Sequence, residues 1–161
     1  MRKIAWITLL VFIGFWLEFF LFNFLGPWFT PQLLILMVIF FNLTLGIRYS
    51  LYTAFGAGLL KDSFSTGFFG LNIFAYIVCA YMTTIISKYV YLNPSRSSRL
   101  LIVALVALLH VFIQTCLYFM FFPVDLIQVI KSILFPEVVM TLIVSIYFFK
   151  KLKQCASRLF A

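Results

Sequence analysis

Residues 100–122, LLIVALVALLHVFIQTCLYFMFF, contain no charged side chain. As a helix they would extend about 34 Å, enough to cross the roughly 30 Å hydrocarbon layer of a bilayer. Outward from this stretch the pattern repeats. Pro31 to Ile47, Tyr49 to Leu60 and Phe68 to Ile86 are also free of charge, and Ile4 to Leu25 and Ile133 to Phe149 carry one glutamate each, Glu18 and Glu137. The linkers between these blocks are too short to fold separately. The sequence therefore predicts one integral membrane domain over residues 1–161, an all-α polytopic bundle of six transmembrane helices. The third block, Tyr49 to Leu60, is expected to form a short helix of about 18 Å.

Composition supports lipid as the solvent. The chain is 65% hydrophobic and 10% charged, whereas about a quarter of a soluble domain's residues are charged. Its 22 phenylalanines read as lipid-facing and helix-packing bulk. The segment MRKIAWITLLVFIGFWLEFF begins with two basic residues, but its apolar run continues to Leu25 without a small-x-small cleavage site, so an uncleaved first span is expected. Cys79 and Cys116 fall inside spans and Cys155 in the tail, which leaves no pair suited to a disulfide framework.

Basic residues set the expected orientation. With six crossings and a cytoplasmic amino terminus, Arg2, Lys3, Arg48, Lys88, Arg96, Arg99, Lys150, Lys151, Lys153 and Arg158 lie inside and only Lys61 and Lys131 outside. The positive-inside rule favours this arrangement, and removing the third crossing would misplace seven of the twelve. Both termini are then cytoplasmic. The basic tail after the last span is expected to attract anionic lipids, and nucleic acid is not implied.

Ionisable groups within lipid need partners. Glu18 and Glu137 are expected at similar depth near the outer surface, where Lys61 and Lys131 can pair with them or a protonated carboxyl can bond a neighbour. His110, Gln114 and Tyr118 follow at four-residue steps and form one polar stripe on the fifth span. A lone histidine without ligands at suitable spacing does not suggest a metal. The sequence shows no serine, histidine and acid set and no phosphate-cradling glycine loop, so it implies neither enzyme chemistry nor a cofactor.

Ser50, Ala54 and Gly58 recur every four residues and allow close helix approach. Two uses are open: packing against the second span after a tight reversal at Gly46, or a homodimer seam. Beyond this stripe, residues 56–72 read GAGLLKDSFSTGFFGLN. The glycines and Leu59 end a close-packed helix, Asp62 and Ser63 can cap or turn the chain, and Gly67 and Gly70 give a sharp re-entry. A compact outer hairpin is therefore expected, with Asp62, Ser65, Gly70 and Asn72 its marked residues and the run from Asp62 to Asn72 presenting fixed backbone turns at the membrane face.

This run, with Pro31 before the second span, resembles the rod shape-determining protein MreD family. That family carries a G-x-x-x-G-L-x-x-D-x-x-S-x-x-x-x-G-x-N type of pattern. Gly58, Leu59, Asp62, Ser65, Gly70, Leu71 and Asn72 stand at matching places, and Ala54 replaces the first glycine. The resemblance implies a non-enzymatic subunit of the bacterial cell-elongation machinery in the cytoplasmic membrane. As implied partners it brings MreC and, through it, MreB, RodA and its penicillin-binding partner. A second reading follows from the six short spans and polar outer mouth, which also resemble the substrate-binding S-component of energy-coupling-factor vitamin transporters. Such a site would draw on Glu18, Lys61, Asp62, Asn72 and Glu137.

Overall fold

The computed structural model describes residues 2–26, 31–65, 69–90, 96–121 and 139–149. The chain forms α1 (Arg2–Leu25), α2 (Leu33–Leu45), α3 (Ile47–Phe64), α4 (Leu71–Val90) and α5 (Arg96–Phe121), followed by α6 (Val139–Phe149). Among the described residues, three helices are long and apolar enough to cross a membrane: α1, α4 and α5. The protein is an all-α membrane protein.

Helix α2 is the centre. Every residue from Leu33 to Asn42 is buried, so this helix is apolar on all sides, as a helix enclosed by other helices must be. It touches α1, α3, α4 and α5, and Phe40 meets Phe149 of α6 edge-to-face at 5.7 Å. Large apolar side chains such as Trp16, Phe20, Tyr52, Phe55 and Phe112 point outward, the arrangement appropriate to lipid.

The expected short third helix is corrected. Helix α3 has 18 residues, about 27 Å, because Arg48, Lys61 and Asp62 all continue the helix rather than bounding it. The short apolar element is instead α2, with 13 residues, about 20 Å. Surrounding protein, not lipid, solvates its length. At Gly46 the backbone takes φ 91, a conformation that favours glycine. Its N–H returns to the carbonyls of Phe41 and Asn42, and α3 then folds back on α2.

The small-residue stripe is filled within the chain. The Ser50 hydroxyl donates to the Val38 carbonyl of α2 at 3.0 Å, and Ala54 is fully buried. Gly58 faces α4 so closely that a Cβ there would lie 2.5 Å from Ile73 Cα. A homodimer would have to use another face. Deeper along α2, the Asn42 amide donates to the Ala80 carbonyl of α4 at 2.9 Å and to the Thr84 hydroxyl at 3.0 Å.

Candidate functional site

Polar side chains gather at the end of the bundle where α2 and α4 begin. Both helices face the same difficulty: their first N–H groups have no partner within the helix, and lipid offers none. The local sequence offers no side-chain cap for α2, since Gln32 makes no capping bond, and Gly70 before α4 has no side chain. Each helix is instead capped by a carboxylate from the helix before it.

For α2 the acid is Glu18 of α1. Its Oε2 accepts the Leu34 N–H at 3.1 Å, placing negative charge at the positive end of the helix dipole. Its Oε1 lies 3.1 Å from the Lys61 ammonium of α3. The pair is partly withdrawn from solvent, with side-chain exposures of 14% for Glu18 and 27% for Lys61. The Gln32 N–H donates to the Thr141 hydroxyl at 3.1 Å, which ties α2 to α6.

For α4 the acid is Asp62 of α3. Its Oδ2 accepts the N–H groups of Gly70 at 3.0 Å and Ile73 at 3.1 Å. Its Oδ1 accepts both the Asn72 N–H at 3.1 Å and the Asn72 side-chain amide at 2.8 Å. Asp62 is only 4% exposed. Gly70 supports the arrangement with φ 104, which lets the chain turn sharply enough for Asp62 to reach the first turn of α4. The expectation of a hairpin presenting Asp62 and Asn72 at the membrane face is therefore corrected. Both are buried because they hold the hairpin shut. Ser65 donates its N–H to the Asp62 carbonyl at 3.3 Å as α3 ends.

The network continues into α5. The Gln114 amide donates to Asn72 Oδ1 at 2.8 Å. One turn along both antiparallel helices, the rings of Tyr76 and His110 stack with centroids 5.0 Å apart and planes 8° from parallel. Lys61 joins the two halves, its Nζ lying 3.4 Å from the Tyr76 hydroxyl. Glu18, Lys61, Asp62, Asn72, Tyr76, His110 and Gln114 thus bring four helices together.

Glu137, Lys131 and the rings of the third stripe residue, Tyr118, lie outside the described side chains. Sequence reasoning missed Tyr76, Gln32 and Thr141. A signal for Tyr76 was available, since it follows Asn72 by the same four-residue step that separates His110 from Gln114. Gln32 and Thr141 are 109 residues apart and no pattern in the sequence links them. Among the described residues no group of three or more histidine, cysteine, aspartate or glutamate side chains could hold a metal ion.

Chemically, the arrangement fastens helices. Asp62 has four donors on its two oxygens and Glu18 has two, so the acids are engaged with main chain and with Lys61. In comparison with known families, the family described as rod shape-determining protein MreD matches residues 1–154. No curated protein and no solved structure matches the chain.

Proposed function

Because the chain belongs to the MreD family of rod shape-determining proteins, we propose that it is a non-enzymatic adaptor of the bacterial cell-elongation complex. It binds the single-span protein MreC and, through it, is linked to MreB, RodA and the penicillin-binding partner of RodA. Membership carries the role in rod shape determination. The adaptor reading is supported by one observation above all: both acids at the capped end, Glu18 and Asp62, are engaged by helix N-termini, Lys61 and Asn72, as a scaffold's residues are.

In this reading the bundle crosses the cytoplasmic membrane six times, with both termini in the cytoplasm and the capped end outside. The ten-to-two division of basic residues supports that orientation. The enclosed α2 crosses as part of the core. Anionic lipids gather at the basic cytoplasmic segments. Since Asp62 and Asn72 are buried, association with MreC uses outward apolar faces such as that carrying Tyr52 and Phe55.

The test is co-expression with an MreC-like partner, followed by purification in mild detergent. The partner is expected to co-purify, and depletion of the protein in a rod-shaped host is expected to produce round cells. Failure of both would remove the adaptor reading.

A further inference from the structure

Glu18, Lys61, Asp62, Asn72 and Gln114 form one polar tier, linked by direct contacts, but the helices do not all end there. Helix α1 continues from Glu18 to Leu25 and α5 from Gln114 to Phe121, about 10 Å in each case. Both extensions are free of charge, and Phe20, Phe22 and Phe24 on the one and Phe119 and Met120 on the other are exposed. By contrast, α3 stops at Phe64, one turn past Lys61, and α2 and α4 begin at the tier itself.

Distances from the basic residues at the opposite end fix the level of the tier. The stretches from Lys3 to Leu25 and from Arg99 to Phe121 are each about 33 Å long as helix, which matches a hydrocarbon layer of roughly 30 Å. The ends of α1 and α5 therefore lie at the outer boundary of the hydrocarbon rather than above it. From Arg48 to Lys61 the helix rises only about 20 Å, so Lys61 falls about 10 Å short of that boundary. An untethered lysine could reach upward. This one is held at its level, because its ammonium meets Glu18 Oε1 at 3.1 Å while Glu18 Oε2 accepts the Leu34 N–H.

Both members of the pair keep exposed surface at this depth. Hydrocarbon is a poor solvent for that surface, and a bilayer relieves the conflict by thinning locally and admitting water. We propose that the outer leaflet dips beside the α3–α4 hairpin, its phospholipid headgroups and water descending to the Glu18–Lys61 pair while α1 and α5 span the full thickness. The inference rests on the six-crossing reading with the capped end outside.

The test is spin-label accessibility in proteoliposomes of dioleoylphosphatidylcholine, using full-length single-cysteine chains. Three exposed positions share one height, each two residues past the polar tier: Phe20→Cys on α1, Ser63→Cys on α3 and the native Cys116 on α5. The other native cysteines are replaced by alanine. An aqueous nickel chelate is expected to reach the label at position 63 several-fold more than those at 20 and 116, which should favour dissolved oxygen as labels in hydrocarbon do. Equal readings at the three positions overturn the proposal: all in hydrocarbon means a flat leaflet over the hairpin, and all in water means that the extensions stand clear of the lipid. Should Ser63→Cys fail to fold, Phe69→Cys, exposed on the other side of the hairpin turn, takes its place. Depth is read from the nearer surface, so an inverted orientation leaves these readings unchanged. It is detected separately, by reaction of Cys155 with an impermeant thiol reagent outside intact cells.

Discussion

Oδ1 of Asp62 holds Asn72 twice, accepting its main-chain N–H at 3.1 Å and its side-chain amide at 2.8 Å. This relationship closes the α3–α4 hairpin from inside. It also orients the Asn72 side chain so that Oδ1 of the amide faces Gln114 of α5.

Asp62→Ala is accordingly expected to destabilise the protein by about 3 kcal/mol, since it removes a helix cap and leaves buried N–H groups without an acceptor. Thermal unfolding in detergent, followed by circular dichroism, measures the loss. An unchanged melting temperature would show that the first turn of α4 does not depend on this carboxylate.

Gly58 and Gly56 are expected to respond in opposite directions. A Cβ on Gly58 would meet Ile73 main-chain atoms at 2.5 and 2.8 Å, which cannot move aside as a flexible side chain would. Gly58→Ala should therefore cost at least about 2 kcal/mol, and Gly58→Leu should abolish folded yield. Around Gly56 nothing lies within 4 Å of the same position, so Gly56→Ala should stabilise α3 by about 0.5–1 kcal/mol. Parallel melts of the two alanine variants check the contrast; equal losses would contradict it.

Much of this fold is legible in the sequence, and the reasons differ by element. Apolar length alone locates α1, α4 and α5, with Glu18 the one charge inside the apolar run of α1, because lipid imposes that requirement on any exposed span. Glu18 and Lys61 are legible as partners, since each is costly alone in lipid. The length of α3 is not, because counting only charge-free residues ends the helix at Leu60, whereas Lys61 and Asp62 remain helical by bonding to neighbouring helices. The inward direction of Asp62 is hidden for the same reason. A carboxylate beside a turn reads equally as a surface group, and only the geometry of Gly70 brings it to the start of α4.

The Glu18–Lys61 pair should show energetic coupling. Lys61→Met leaves a carboxylate that is 14% exposed with the Leu34 amide as a remaining donor, whereas Glu18→Gln keeps an oxygen for that amide but leaves the ammonium without its anion. A double-mutant cycle on unfolding free energy is expected to give a coupling of about 1 kcal/mol or more, the double variant losing less than the sum of the singles. Additive losses would mean that the two groups do not support one another.

The most direct test of the central claim, that the capped polar end fastens the scaffold while outward apolar faces meet the partner, is the amount of MreC-like protein retained per folded chain. The Glu18→Gln/Lys61→Met double variant is suited to it, because it removes the charges and keeps an acceptor for α2. Co-purification should give the wild-type ratio of partner to folded protein. A variant that keeps its fold and loses the partner would place recognition at the polar end and contradict the claim.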